Sequence, residues 1–343
     1  MSRPKDPRKA PWRIDETDFF EIESEYGQKE FLLRYAVLAP SGHNTQPWSF
    51  RITEYGIEVF ADYSRRLPVA DPTDRELLIS VGAAIANLRV AAAHFGFESA
   101  VLYQDQPDES LPVALLTLRE TCNPDESLRD LFPSVLQRHT SHAPFKSRGI
   151  DPEQLTPLCD FVDAHPEVLR FIVPQERSRA AELVTEADRI LMADPKWRGE
   201  LAAWVRSNEG TATDGICADA FGIPGPISAL APWLIRTLDM GASRAKEDAS
   251  AIDQATGLIV VTANDERSSL IAAGVTLELL LLLLTGLGMH YSFMNQPIEV
   301  PALRQELWSL IRSPRAPQLL LRIGYAATEA RPMPRRSVED VTV

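Results

Sequence analysis

The sequence predicts an α+β fold, with sheets flanked by long helices and two related halves carried on one chain. Three observations carry that expectation. Strand-like runs rich in β-branched and aromatic residues are few beside the helical stretches, and they lack the strict alternation that a doubly wound parallel sheet requires. The stretch Val275–Met289, with leucine at every position from 279 to 284, is apolar all round and reads as the buried centre of a large core. Finally, Leu78-Ile79-Ser80-Val81-Gly82 matches Leu270-Ile271-Ala272-Ala273-Gly274, 192 residues further on, and both stretches run on as apolar helix to Gly96 and Gly288 without a gap. An internal match of this kind is the mark of a repeated unit.

The elements follow in order. A helix over Gln28–Leu38 precedes strands at Trp48–Ile52 and Ile57–Phe60, the first repeat helix, a turn with amphipathic sequence, and a strand at Pro112–Leu118. The polar stretch Cys122–Asp130, with Asn123-Pro124, connects the halves. Asp151 as N-cap, Pro152 in the first helical position and Gln154 in the third predict a capped helix start. Strands at Leu169–Val173 and Gly257–Thr262 precede the second repeat helix and a strand at Pro317–Ile323. The boundaries expected are an N-terminal arm over 1–27, a first half over 28–130 and a second half over 131–343 that ends in a basic tail. Within the second half, 194–241 is an insertion carrying Trp197, Trp204, Phe221 and Trp233 among glycines and prolines. It reads either as a lid over a ligand or as an embellishment packed on the core.

Composition narrows the function. The chain has 343 residues, enough for two domains or one built twice, and its 45% hydrophobic and 24% charged content is that of a globular protein. A net charge of −13 repels nucleic acid and anionic membrane, so a phosphate ligand would need cations gathered locally. The greasiest segment contains Glu278 and falls short of the ~20 residues of a membrane span. Arg3, Lys5, Arg8, Lys9 and Arg13 are followed by acidic sequence over Glu16–Glu25 rather than an apolar stretch, which is not the pattern of a signal peptide. Cys122, Cys159 and Cys217 have neither zinc-site spacing nor the even number of a disulfide framework. The expectation is a soluble cytoplasmic protein without nucleic-acid or membrane partners.

The common catalytic motifs are absent. No Gly-x-Gly-x-x-Gly follows a strand, and there is no phosphate-loop lysine, His-Glu-x-x-His or Gly-x-Ser-x-Gly. His139 and His142 lack a third ligand at metal-binding spacing, so no metal is expected. Ser41 and His43 share one short loop, which rarely presents a base to a hydroxyl. Three segments remain: the loop Ala39–Trp48, the segment Arg138–Phe145, and the tail with Arg335 and Arg336. Taken singly, the first reads as a capped turn and the others as solvated charge.

Together these segments resemble the nitroreductase-like flavoproteins, most closely their duplicated Acg-type branch, over residues 28–120 and 137–343. In that family a basic loop and a Pro-x-Arg-Arg tail bind flavin mononucleotide (FMN), and a Pro-Ser-x-x-Asn-x-Gln-Pro-Trp loop reaches it from the partner subunit. This chain has the Pro-Ser loop only in its first half, at Pro40–Trp48. It has the basic loop only in its second half, and the tail runs from Gly324-Tyr325 to Arg336. The resemblance implies a nitroreductase-like fold, internally duplicated so that one chain mimics the two-fold dimer and keeps one of its two flavin sites.

Carried over by position, Pro40, Ser41 and Asn44 would meet the flavin from the first half. Arg138 and His139 would bracket its phosphate and ribityl chain, with Thr140 hydrogen-bonding nearby. His142 stands where the family has Arg or Lys near the flavin N1–O2 edge. The turn Met294-Asn295-Gln296 falls where the family offers a backbone amide to N5, and Arg335 and Arg336 would neutralise the phosphate. No side chain is implied as catalytic acid or nucleophile. The activity implied passes electrons from NAD(P)H through FMN to a small electron-poor acceptor such as a nitroaromatic or quinone. The alternative is a protein that sequesters FMN under a cover. Either way, the chain would act as a pseudo-dimeric monomer, with a higher oligomer left open.

Overall fold

The computed structural model describes residues 8, 10–106 and 108–343; Arg3, Lys5 and Lys9 of the basic arm lie outside the described residues. The first half runs α1 (Glu25–Ala36), β1 (Trp48–Ile52), β2 (Gly56–Ala61), α2 (Arg75–His94), β3 (Phe97–Tyr103) and β4 (Ala114–Glu120). Two single-turn helices, α3 (Glu126–Arg129) and α4 (Phe132–Val135), lead to β5 (Phe145–Lys146), α5 (Pro152–Ala164) and β6 (Leu169–Phe171). Next come α6 (Pro174–Ala193), α7 (Pro195–Trp204), β7 (Val205–Arg206), β8 (Ile216–Cys217), α8 (Ala231–Thr237) and α9 (Gly241–Gln254). The chain closes with β9 (Gly257–Ala263), α10 (Arg267–Gly286), β10 (His290–Phe293), α11 (Gln296–Glu299), α12 (Pro301–Ile311), β11 (Ala316–Ala326) and α13 (Val338–Val341). Half of the chain is helical and 17% is strand, which is the helix-rich α+β balance expected.

Two antiparallel sheets form, in the orders β1-β2-β4-β3 and β6-β9-β11-β10, with β5 pairing the end of β11. The pairing order is the same in both. The strand after each central helix (β3 or β10) pairs with the last strand (β4 or β11), which pairs with the strand before the helix (β2 or β9). One continuous core takes in α2, α10 and apolar residues of both sheets, from Phe50, Val59 and Leu116 to Val261, Leu321 and Ile323. Apolar area removed from water scales with stabilisation at roughly 25 cal/mol per Å², so helices that are apolar all round belong at that seam. Both α2 and α10 reach 20 residues and are apolar enough to cross a membrane by length and composition. Here they pack on each other inside the core.

Two local expectations are corrected. The segment after Gly96 is a strand, β3, in register with β4. Its alternately exposed residues, Glu98, Ala100 and Leu102, hide the apolar periodicity that would have marked it. The helix predicted from Asp151 does begin at Pro152, but without a capping box. The Asp151 carboxylate accepts from Arg148 at 2.8 Å, and the Gln154 amide donates to Leu287 O at 2.6 Å. Both side chains found tertiary partners that compete with the local cap.

Candidate functional site

A cavity of about 350 Å³ opens beside the α2–α10 seam, lined by the Pro40–Asn44 loop, α2, the Arg138–His142 segment, the β10–α11 turn, β11 and the tail. Volumes from about 300 Å³ are typical of small-molecule sites. The insertion also lines it, through Trp197, Leu201, Ile216, Phe221 and Met240.

The Pro40–Trp48 loop is held in a costly conformation. His43, Asn44 and Gln46 all have positive φ, at 48°, 54° and 53°. This region disfavours side chains with a Cβ, and each such residue costs on the order of 1–3 kcal/mol. Local bonds hold the turn: Asn44 N donates to Ser41 O at 2.9 Å, and Gln46 N donates to Ser41 Oγ at 2.9 Å. Remote bonds fix its side chains. Asn44 Nδ2 donates to Gly215 O at 2.9 Å and to Pro334 O at 3.1 Å, while Asn44 Oδ1 accepts from Arg335 at 2.9 Å. Gln46 Nε2 donates to Thr213 O at 2.8 Å, and its Oε1 accepts from Arg336 N at 2.8 Å. The loop thus clamps insertion and tail together. Arg65 pairs with Asp214, and Glu200 accepts from the backbone amides of Val69 and Ala70 at 3.0 and 2.8 Å.

One end of the cavity is basic. Arg138 is 1% exposed, lies 3.0 Å through Nε from Glu278 Oε1, and donates to the Tyr291 hydroxyl and to Leu38 O. Arg335 donates to the same Leu38 carbonyl at 3.0 Å. Trp12 lies among them, its ring centroid 5.0 Å from the Arg335 guanidinium and 5.9 Å from that of Arg138, with His139 edge-on at 4.3 Å. Burial, reinforced by the two arginines, pushes His139 down to about 3. Burial outweighs the same cations at Glu278 and lifts it to about 7.

The other end is acidic. Glu76 accepts from the Asn295 amide at 3.2 Å, and burial together with neighbouring Glu299 raises it to about 8. Glu299 accepts from Trp197 Nε1 of the insertion at 2.7 Å and is raised to about 7, chiefly by burial. Asp188, 4% exposed, is raised to about 8 by burial and by Asp248, which accepts from the Gln296 amide at 2.7 Å. Glu76 and Asp188 thus favour their protonated forms at neutral pH, since a desolvated carboxylate beside another is the less stable form. His142 and Arg322 also line the cavity. His142 keeps accessible surface there, yet the surrounding protein, Arg322 and Arg244 push it down to about 4. Burial brings Arg322 down to about 10.

The structure gathers Pro40, Ser41, Asn44, Arg138, His139, Thr140, His142, Met294, Asn295, Gln296 and Arg335 around this one cavity. Arg336 is the exception. It does not line the cavity but donates to Gln46 O at 3.2 Å and to Asp340 O, with Asp62 3.7 Å away. Neighbours on an extended tail point to opposite sides, so only one of the two arginines can face inward. In the turn, Met294 N already donates to Leu320 O at 2.8 Å, which leaves the amides of Asn295 and Gln296 for any ligand. Sequence reasoning missed Trp12, Glu76, Asp188 and Arg322. Arg322 had a visible signal, as the only charge in the apolar strand Ala316–Ala326. Among the described residues, no group of three or more His, Cys, Asp or Glu could hold a metal.

The donor set suits an anionic organic molecule with an apolar body. The cavity combines a basic end, apolar walls from Leu277, Leu319, Phe221 and Phe293, and buried cationic nitrogens without hydrogen-bond partners at Arg335 Nε and Arg322 Nε and Nη1.

The class such a fold and cavity define agrees with the sequence relatives, although no family model matches the chain. Rv3131 of Mycobacterium tuberculosis, named as an NAD(P)H nitroreductase, is 26% identical over 319 residues, which is 90% of this chain and 89% of that protein. PigM of a Serratia species, named likewise, is 25% identical over 329 residues, 89% of this chain and 90% of its own. Among solved structures, an Anabaena variabilis protein named as a nitroreductase covers 91% of each chain at 10% identity with a TM-score of 0.45. The FMN-dependent nitroreductase NfnB of Mycobacterium smegmatis, solved with NADPH, covers 63% of this chain and 98% of its own, at 14% identity and a TM-score of 0.39. The chain resembles the nitroreductase-like proteins along nine-tenths of its length. The Acg-type proteins are among these relatives: acg of M. tuberculosis is 26% identical over 321 residues, 90% of this chain and 93% of its own.

Proposed function

We propose that this protein is an FMN-dependent oxidoreductase of nitroreductase type, taking electrons from NAD(P)H and passing them to a small electron-poor acceptor such as a nitroaromatic or quinone. The observation that carries the reading is the convergence of the Pro40–Asn44 loop, the Arg138–His142 segment, the Asn295–Gln296 turn and Arg335 on one cavity. FMN, when bound, supplies the hydride and electron chemistry, so the chain's task is to bind, orient and exclude water.

In this reading Trp12, His139 and Arg335 form the wall for the phosphate. Arg138 supplies its positive field from behind, tied as it is to Glu278, Tyr291 and Leu38. His142 offers a neutral imidazole toward the ring. The protonated Glu76 and Asp188 keep the acidic end from repelling an anionic ligand. The equal pairing order of the two sheets and the reciprocal packing of α2 and α10 support an internal duplication; with it we propose one flavin per chain and a pseudo-dimeric monomer in the cytoplasm.

A specific observation favours a second reading, in which the protein stores flavin with little turnover. The segment 194–241 lines the cavity and is fastened to the first half through Asn44, Gln46, Arg65 and Glu200. Anaerobic mixing with NADH and NADPH separates the two. Bleaching of the yellow absorbance within seconds supports the enzyme, and colour that persists for hours supports storage. A colourless protein that takes up no FMN sinks both.

A further inference from the structure

Arg322 sits in the middle of β11 and is 4% exposed, yet its Nε and Nη1 have no hydrogen-bond partner. Its Nη2 donates to Ala143 O at 3.1 Å, and its guanidinium lies 4.0 Å from the centre of the Phe145 ring. Among the described residues it forms no ion pair. Asp248, whose field reaches it, is held by Gln296; Arg244, which also faces this region, bonds to Glu247 at 3.2 Å, and Asp219 pairs with Arg331 at 3.0 Å, while Asp188 is raised to about 8. Removing a guanidinium from water without a counter-charge costs several kcal/mol. A fold retains that arrangement where the counter-charge arrives with a ligand.

Ser292 faces Arg322 directly across the β10–β11 ladder, and both line the cavity. Residues directly opposite in an antiparallel pair share a face, so a hydroxyl and a guanidinium are presented side by side. His142 is adjacent, and because it is neutral at pH 7 it can donate without adding a charge. The basic end of the cavity is built differently, since Arg138 and Arg335 are bonded to Leu38, Glu278 and Asn44.

We propose that Arg322, with Ser292 beside it, is an oxyanion-binding subsite in the cavity wall, taking the phosphate or carboxylate of a bound small molecule. Two sources share that chemistry: the carboxylate of a second ligand that enters with the flavin proposed above, or the flavin phosphate itself, which would then lie at Arg322 in place of the Arg335 wall.

The test uses Arg322→Gln and the charge-conserving Arg322→Lys in the full chain. Inorganic phosphate and benzoate are titrated separately, and thermal stability is followed, since a ligand that binds only the folded state raises the melting temperature. At least one anion should stabilise the wild type, the shift should vanish in Arg322→Gln, and part of it should survive in Arg322→Lys. FMN and riboflavin affinities then name the source. A loss of about ten- to a hundredfold for FMN alone, the size of one charge-assisted contact, assigns the flavin phosphate. Unchanged affinity for both flavins with a lost benzoate shift assigns a second ligand's carboxylate. The proposal is overturned if neither anion stabilises the wild type, or if folded Arg322→Gln responds to both as the wild type does. Failure of the flavin reading looks different: the wild type then binds neither flavin while its anion shift persists.

Discussion

Gly82 and Gly274 bring helices α2 and α10 into backbone contact. A Cβ on Gly82 would lie 2.1 Å from Ile271 O and 2.9 Å from the Gly274 Cα, and a Cβ on Gly274 would lie 2.0 Å from Ile79 O. Each glycine therefore meets the residue three positions before the other, the reciprocity of a self-complementary contact. Alanine at either position forces the helices apart, and overpacking of this kind costs about 1–3 kcal/mol or more. Gly82→Ala and Gly274→Ala should lower the melting temperature by similar amounts. A pair of unchanged melting curves would show that the seam is looser than this contact implies.

The Arg138–Glu278 pair should behave as a unit. Removing one partner leaves a buried charge uncompensated, at about 3–5 kcal/mol, whereas replacing both with apolar groups of similar size is close to neutral. Arg138→Met and Glu278→Leu should each destabilise strongly, and the double variant should recover most of the loss. A double-mutant cycle with additive losses contradicts this. The pair also makes Arg138 a poor position for testing ligand binding, because its loss would mix folding with affinity.

Stability should depend on pH in a residue-specific way. Glu76 is raised from 4.5 to about 8, so its contribution is full below the unfolded value and lost as pH rises toward 8. Glu76→Gln should gain on the wild type between about pH 5 and 8, read as a widening difference in melting temperature. His43, pushed down from 6.5 to about 4 by burial alone, acts in the opposite sense. Its contribution is full above 6.5 and lost as pH falls toward 4, so His43→Gln should narrow the wild type's loss on acidification. Differences that stay constant with pH for both variants would rule these assignments out.

If flavin binds as proposed, its potential should answer to His142. The imidazole is neutral at pH 7, so it supplies no fixed charge to the reduced ring. His142→Arg adds one and should raise the midpoint potential of the bound flavin, because a cation stabilises developing negative charge. A potential that stays put or falls removes His142 from the ring's surroundings.

Much of this molecule could be read before folding was considered. Trp48–Ile52 is a strand with the predicted limits, and the apolar runs ending at Gly96 and Gly288 are the two central helices, because periodicity and β-branched content report local structure well. The Pro40–Asn44 loop and the Arg138–His142 segment stood out only together, through the resemblance to the nitroreductase-like flavoproteins. Strand β3 escaped because its exposed residues are not polar enough to mark an edge. Trp12, Glu76 and Asp188 escaped because a lone aromatic or carboxylate in a helix or arm looks the same whether it faces solvent or a cavity.

The sequence by itself determined the helix-rich α+β class, the two matching helices and the residue types available for an anionic ligand, since these follow from spacing and composition within short windows. Tertiary structure alone decided that Arg335 faces inward while Arg336 turns to Gln46 and Asp340, that Asn44 and Gln46 clamp the insertion, and that Arg322 is left without an ion-pair partner among the described residues. Those outcomes depend on which groups, separated by as much as most of the chain, compete for the same few donors and acceptors once water has been excluded.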